Sequence, residues 1–330
     1  MAATPLSVFS YVRNEAATLD KSLATIRPLA DELVVVDTGS TDSTVRIAEQ
    51  YADRIVTWPW RDDFGAAARF AESLCTHRFV CKWDGDWWLQ QGLSTLRALK
   101  DAGFREGAVY DFGWVNEYDL TTLEPFIYNR HQFIYDREAY AWTSPIHTHL
   151  VSRHNRKISS IFEPEILVYH YKGPAKKHYR FAQTKRLIAK NLPLTTGPAR
   201  IRLLKYGALN ALFGEDWEAA AVYLRELRAL PFDSDLAGWL IEPWATYLFR
   251  TRQHEELQGF IEKTPTPHPA LTLFAADLEL VRERYTLAEA KYREFLKTYP
   301  VREGTLNLNV TRYRDHPKQI LAWLAKQRNK

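Results

Sequence analysis

Two aspartates one residue apart, Asp84 and Asp86, mark where this chain could do chemistry. They follow Phe79–Val80–Cys81–Lys82–Trp83, which reads as a short buried strand, and they precede Trp87–Trp88–Leu89. A carboxylate pair at a strand end offers hard oxygen ligands to Mg²⁺ or Mn²⁺, ions that keep positions open for the oxygens of a diphosphate. Such a cation would neutralise a departing nucleotide diphosphate. An isolated Asp–Gly–Asp is more often an ordinary polar turn, so the elements around it have to decide.

Those elements alternate. Leu6–Val12 is a strand candidate ending in Arg13–Asn14–Glu15, and Ala16–Ile26 then carries Leu19, Leu23 and Ile26 at helical spacing. Leu33–Val36 is an apolar run too short for a helix and reads as a parallel strand covered on both faces; Asp37 follows it. Thr41 or Asp42 can cap the next helix, whose Val45, Ala48 and Ala52 share a face. Arg54–Trp58 gives a third strand, Phe64–Cys75 a third helix and Phe79–Trp83 a fourth strand. This order predicts an α/β fold with an open, mostly parallel, Rossmann-like sheet whose ligands lie beyond the carboxyl ends of the strands. Glu15, Asp37, Asp84 and Asp86 all fall at those ends. No GxGxxG follows the first strand, which argues against a dinucleotide cofactor.

Composition narrows the class. Eleven Trp, 17 Tyr and 16 Phe supply a core and stacking surfaces, and 44 basic against 40 acidic residues leave a net charge of +4, mild for a dedicated nucleic-acid binder. The first residues lack a basic region followed by a long apolar one, and no window is apolar enough to cross a bilayer, so a cytoplasmic location is expected. Cys75 and Cys81, the two cysteines, support neither a zinc site nor a disulfide framework.

SVFSYVRNEAATL, DELVVVDTGSTDST, WRDDFGAAARF and KWDGDWWL, in that order, resemble the nucleotide-sugar-binding half of the family 2 glycosyltransferases, which have a glycosyltransferase-A fold. The resemblance covers roughly residues 6–90 and continues more weakly through WTSPIHTHL and ILVYHYKG. It implies that Tyr11, Arg13 and Glu15 lie along the nucleoside, that Asp37 meets the base, and that Asp84 sits near the ribose and the metal. It further implies Asp86 as chief metal ligand, Arg69 beside the diphosphate or donor sugar, and UDP as the commonest donor nucleotide. Phe70 stands where the family often has Asn, and Trp87 where it often has an acid. Where relatives usually read His–Glu, this chain has His147–Thr148, so a base supplied by that Glu would have to come from elsewhere.

Residues 107–140 read as short aromatic strands, mixed or antiparallel, on the acceptor side. Catalysis by inversion needs a general base that takes the acceptor proton while the hydroxyl attacks the anomeric carbon. His147 is the first choice, because an imidazole titrates near neutrality; Glu117 and Asp119 come next, and His149 and His170 also lie within range. His170 could instead complete the metal shell, since Mn²⁺ accepts imidazole nitrogen. Lys172, Lys176, Lys177, Arg180, Lys185 and Arg186, interleaved with aromatics, form either a solvated helix face or a grip for phosphate.

After Pro193–Gly197 the pattern becomes long amphipathic segments. Pro231, Pro265 and Pro300 recur at the tetratricopeptide period, and Ala221, Tyr223 and Leu227 align with Ala290, Tyr292 and Leu296. Residues 195–300 therefore resemble three tetratricopeptide-like helix pairs, capped by Pro317–Gln327. The expected domains are 1–192, the transferase, and 193–330, an all-α helical domain able to hold a protein partner or a second copy. The leading reading is a metal-dependent, inverting transferase moving sugar from a nucleotide sugar to a hydroxyl on a protein or peptide, a glycan, or a modified nucleic-acid base. The competing readings are a helical-repeat binding protein carrying a relic transferase domain, for which Thr148 speaks, and a divalent-metal phosphohydrolase.

Overall fold

Short apolar runs punctuated by polar turns give strands, and the turns between them set the order of the sheet. The computed structural model describes residues 3–118, 125–171, 174–230, 234–265, 268–299, 313 and 315–328. It divides into two compact units, Met1–Lys177 and His178–Lys330. The sequence places the change of pattern at 192/193; the division falls earlier, inside the helix Pro174–Asn191.

The first unit contains β1 (Leu6–Val12), α1 (Leu19–Ile26), β2 (Glu32–Asp37), α2 (Thr44–Ala48), β3 (Arg54–Thr57), α3 (Phe64–Ser73), β4 (Phe79–Lys82), β5 (Trp87–Gln91) and α4 (Leu93–Ala102). It continues with β6 (Ala108–Tyr118), β7 (Pro125–Asp136), β8 (Tyr140–Thr143), β9 (His149–Ser152) and β10 (Ser159–His170). Eight strands form one sheet in the order β3-β2-β1-β4-β7-β6-β10-β5, with β8 and β9 as a separate hairpin. The pairs β2·β3, β1·β2, β1·β4 and β6·β10 are parallel, whereas β4·β7, β6·β7 and β5·β10 are antiparallel. The expected mostly parallel sheet with mixed strands after residue 107 is what forms. The helix after Asp37 is shorter than its apolar spacing suggests, and Ser43 rather than Thr41 or Asp42 stands at its N-cap; Asp42 instead accepts the Thr44 N–H at 3.0 Å.

One connection controls the shape at the Asp–Gly–Asp turn. β4 and β5 are separated in the sheet by β7, β6 and β10, a span of four inter-strand steps or about 19 Å in a flat sheet. The five Cα steps from Lys82 to Trp87 could reach only about 18 Å at full stretch, and the Trp87 N–H bonded to the Asp84 carbonyl at 3.1 Å folds them into a turn. A flat sheet cannot satisfy both, so this half of the sheet curls until its edge returns to its centre. Trp83, Trp87 and Phe133 fill the curl, with ring centroids 5.3–6.0 Å apart. Trp83, Trp87 and Phe133 are at most 2% exposed, and burial of such rings is worth about 2–3 kcal/mol each.

The second unit is helical. It holds most of α5 (Pro174–Asn191), then α6 (Gly197–Phe213), α7 (Trp217–Ala229), α8 (Ser234–Arg250), α9 (His254–Lys263), α10 (Pro269–Val281), α11 (Tyr285–Thr298) and α12 (His316–Arg328). The turn inside each pair is the same. Glu215, Arg252 and Glu283 are left-handed, with φ of 56°, 60° and 60°, two residues past the end of α6, α8 and α10. The next N–H then reaches back five residues, Asp216 to Ala211, Gln253 to Leu248 and Arg284 to Glu279, at 2.8–2.9 Å. Leu204, Leu224, Leu227, Leu248, Leu257, Leu273, Ala288 and Tyr292 pack among the pairs. Pro231 and Pro300, which the repeat spacing singled out, lie outside the described residues.

Candidate active site

The loops at the carboxyl ends of β1, β2 and β4 are knitted into one rim. Asn14, left-handed at φ 54°, donates its N–H to Ser40 Oγ (3.0 Å) and accepts the Thr41 N–H (2.8 Å). The Glu15 N–H goes to Thr44 Oγ1 at 2.7 Å, and the Glu15 carboxylate accepts from Thr18 Oγ1 at 3.0 Å. Asp37 ends β2 opposite Val12; it is 5% exposed and accepts backbone N–H groups of Gly39 and Ser40 at 3.2 and 3.0 Å. Gly85 closes the rim. A Cβ at Gly85 would stand 3.1–3.2 Å from the side chains of Glu15, Val12 and Leu19, so the Asp84–Asp86 turn is seated tightly against β1 and α1. Ser22 fastens the turn from below, donating to the Asp84 carbonyl (3.0 Å) while accepting from Trp83 Nε1 (3.1 Å).

Asp86 is 4% exposed, and its Oδ2 lies 3.4 Å from His170 Nε2 at the end of β10. The Tyr171 N–H bonds to the Asp86 carbonyl at 2.9 Å, so strand register fixes the pair. His170 stacks on Trp114 (5.1 Å, 17°), and so does His131 (5.0 Å, 26°), while Trp87 meets His131 edge-on. Burial, then the charge of Lys82 and the neighbouring His170, push His131 down to about 3, so it is neutral at physiological pH.

Asp84 is ion-paired with Lys82, whose side chain is only 5% exposed. Burial works against the Lys82 charge, but Asp84 and Tyr11 outweigh it and raise its affinity for the proton. Tyr11 is pushed up to about 12, chiefly by burial, with the neighbouring Lys82 and Thr148 side chains acting in the opposite direction. Thr148, standing where the resemblance leads one to expect an acid, thus faces Tyr11.

The loop carrying Thr148 is held by α3. The Phe64 N–H bonds to the Pro145 carbonyl at 3.0 Å, and a Cβ on Gly65 would come within 2.5 Å of the Ser144 oxygen. Ser144 and His147 are both left-handed (φ 72° and 49°), an unfavourable conformation for such residues. Arg69 Nη1 donates to the Trp142 carbonyl at 3.0 Å. Behind it, Trp142 Nε1 donates to the Tyr135 hydroxyl at 2.6 Å, which in turn bonds to buried Glu72.

The sequence-predicted residues therefore divide. Tyr11, Glu15, Asp37, Asp84, Asp86 and His170 belong to the rim and the strand ends beside it. Arg13 and His147 are exposed, as is Arg69 despite its bond to Trp142. Glu117 lies on β6 opposite Ile127; Asp119 lies outside the described residues, as does Lys172. Sequence reading passed over Lys82, whose signal was a charge inside an apolar strand, and over Trp114 and His131, whose signal was weaker. The donor set of two carboxylates and an imidazole suits a divalent ion that leaves positions for phosphate oxygens. Asp86 and His170 are the two of these that meet; among the described residues no three such groups are already gathered at ligating distance.

Residues 7–157 match the sequence profile of the family described as Glycosyl transferase family 2. An uncharacterized glycosyltransferase of Rickettsia felis is 38% identical over 81 residues, 24% of this chain and 28% of that protein. The lipopolysaccharide core biosynthesis glycosyltransferase LpsC of Rhizobium meliloti is 34% identical over 97 residues, 28% of this chain and 35% of LpsC. The aligned part thus spans about a third or less of each of these relatives. Among solved structures, a mannosyltransferase from Pyrobaculum calidifontis in complex with GDP-Man and Mn²⁺ superposes with a TM-score of 0.40 at 17% identity, covering 79% of this chain and 87% of that one. The chain accordingly carries a glycosyl transferase family 2 domain over residues 7–157, followed by a helical region.

Proposed function

We propose that this protein is a divalent-cation-dependent glycosyltransferase that takes a sugar from a nucleoside-diphosphate donor, UDP-linked by the family resemblance, and passes it with inversion to a hydroxyl-type acceptor. The observation that carries the reading is the Asp86–His170 pair, 3.4 Å apart and fixed by strand register under the Asp–Gly–Asp turn. Mn²⁺ or Mg²⁺ held there would offset the charge that builds on the leaving diphosphate. Asp37 and its ring of backbone N–H groups form the base end of the donor groove, Tyr11, Arg13 and Glu15 its wall, and Asp84 its ribose side. Arg69, on the exposed side of α3, is placed to meet the diphosphate or the sugar.

In the transfer, the acceptor oxygen bonds to the anomeric carbon as the bond to the diphosphate oxygen breaks, and a protein base keeps the acceptor's proton. Thr148 has no basic group to take it. His147, exposed and left-handed in its backbone, is the first candidate, with Glu117 and Asp119 at and beyond the end of β6 as the second. The acceptor class is a protein or peptide, a glycan, or a modified nucleic-acid base. The helical region, with its thrice-repeated turn, acts as a tetratricopeptide-like scaffold for a partner or a second copy. No helix among the described residues is long and apolar enough to cross a membrane, and we place the protein in the cytoplasm.

The test is release of nucleoside diphosphate from a panel of nucleotide sugars. Slow hydrolysis that requires Mn²⁺ or Mg²⁺ and falls at least a hundredfold in Asp86→Asn supports the reading. Phosphate release in place of sugar release, or hydrolysis unaffected by Asp86→Asn, overturns it.

A further inference from the structure

Lys82 is the feature of this site that the transferase reading leaves unused. It is the only lysine in the run from Phe79 to Trp83, it sits two residues before Asp84, and its side chain is 5% exposed. Its ammonium is paired with Asp84 Oδ1 and lies 5.2, 4.8 and 5.7 Å from the ring centres of Tyr11, Trp87 and Trp142. Aromatic faces attract a cation but cannot replace a counter-charge, and withdrawing the carboxylate from a buried ammonium leaves an uncompensated charge. Asp84 is therefore committed to Lys82 before any ligand arrives, with at most its second oxygen to offer.

We propose that Lys82 is a fixed internal cation of the donor site: it withholds Asp84 from a divalent ion in the nucleotide-free protein and lends positive charge to the diphosphate end of the groove. The proposal rests on the nucleotide-sugar reading above. Its consequence is an order of binding. The segment from Lys82 to Asp86 carries one net negative charge rather than two, so the bare site holds Mn²⁺ weakly through Asp86 and His170. The ion and the nucleoside diphosphate then bind together, each supplying the charge the other needs. Lys82 acts through Asp84 and is a positioning residue.

The test titrates Mn²⁺, followed by the electron paramagnetic resonance signal of the free ion, into wild type, Lys82→Met, Lys82→Met/Asp84→Asn and Asp86→Asn, with no nucleotide present. Nucleoside diphosphates (UDP, GDP, ADP, CDP) are then titrated calorimetrically with and without Mn²⁺. Methionine keeps the length of the side chain among the three rings and removes the charge. In Lys82→Met, Mn²⁺ binding without nucleotide is expected to tighten at least tenfold, while metal-free binding of the diphosphate that wild type prefers weakens at least fivefold. Loss of packing alone would weaken both. The double variant Lys82→Met/Asp84→Asn, which removes both partners, keeps the net charge of the segment and serves if Lys82→Met does not fold, is expected to leave nucleotide-free Mn²⁺ affinity within threefold of wild type, whereas Asp86→Asn loses it at least tenfold. Unchanged or weaker Mn²⁺ binding in Lys82→Met, or a loss in the double variant as large as in Asp86→Asn, overturns the assignment of Lys82. If wild type binds no nucleoside diphosphate even with Mn²⁺, the transferase reading fails, and the inference with it.

Discussion

Gly65→Ala tests whether the loop bearing His147 and Thr148 is held where the structure puts it. Gly65 lies in the first turn of α3, and a Cβ there would stand 2.5 Å from the Ser144 oxygen and 3.2 Å from Arg69 Nη1. The Arg69 side chain can swing aside; the Ser144 carbonyl belongs to backbone already left-handed at φ 72°. Ordinary contact needs about 3.4 Å, so helix and loop must part by roughly 0.9 Å. Overpacking against a backbone atom this close falls in the upper part of the usual range, about 2–3 kcal/mol, and the helical preference of Ala over Gly returns about 1 kcal/mol. The net loss is about 1–2 kcal/mol, which lowers the melting temperature of a unit of this size by about 2–8 °C. The same shift moves Thr148 off Tyr11, and misplacement by close to 1 Å is expected to cut turnover about ten- to a hundredfold. Calorimetry and sugar-nucleotide turnover on the same preparation read both effects. Gly238→Ala is the control: it lies in α8 with open space where its Cβ would go and should stabilise by about 0.5–1 kcal/mol. Unchanged melting temperature and turnover in Gly65→Ala would refute this packing.

Two further outcomes follow from buried charge. His131 is held well below the ordinary imidazole value, at about 3, so the unfolded chain binds its proton first and stability falls as pH drops from about 6.5, by up to about 1.4 kcal/mol per unit. His131→Phe, which keeps a ring against Trp114 and Phe133, should flatten that slope in urea melts between pH 6.5 and 4; an unaltered slope would show that another group causes it. Asp136, 0% exposed, accepts from Arg78 Nε and Nη2 at 3.1 and 2.7 Å and from the Gly107 N–H at 2.8 Å. Burial opposes its charge but these bonds prevail and lower its proton affinity, so its contribution is present above the ordinary carboxylate range and is lost as pH falls through the depressed value. Asp136→Ala is expected to cost about 2–3 kcal/mol at pH 7, less than a fully buried pair because Arg78 is partly exposed; urea melts giving under 0.5 kcal/mol would contradict the pairing.

The strand ends were legible in the sequence because buried parallel strands announce themselves as short apolar runs, and the acids after them stand out against that background. Asp37, Asp84 and Asp86 were found in this way. What the sequence could not disclose depends on contacts across strands. The curl that returns β5 to β4 follows from which strands pair, and only then does His170 come to Asp86 and Trp114 come between His131 and His170. Lys82 was visible as a charge in an apolar run, yet its meaning came from the pairing with Asp84 and the three rings about it. The substitution at Thr148 was plain, while its contact with Tyr11 required the loop geometry set by Ser144 and His147. In the helical region the proline spacing gave the period, whereas the repeated turn at Glu215, Arg252 and Glu283 uses residues with no special preference for a left-handed backbone, and no local signal marked it.

We propose that Asp86 and His170 hold a divalent ion against a nucleotide diphosphate at the mouth of the curled sheet. The decisive experiment is a crystal grown with Mn²⁺ and UDP, with data collected at the manganese edge. An anomalous peak within about 2.3 Å of Asp86 Oδ2 and His170 Nε2, touching diphosphate oxygens while the uracil meets Asp37, is the result predicted. Manganese or UDP bound away from these residues would contradict it.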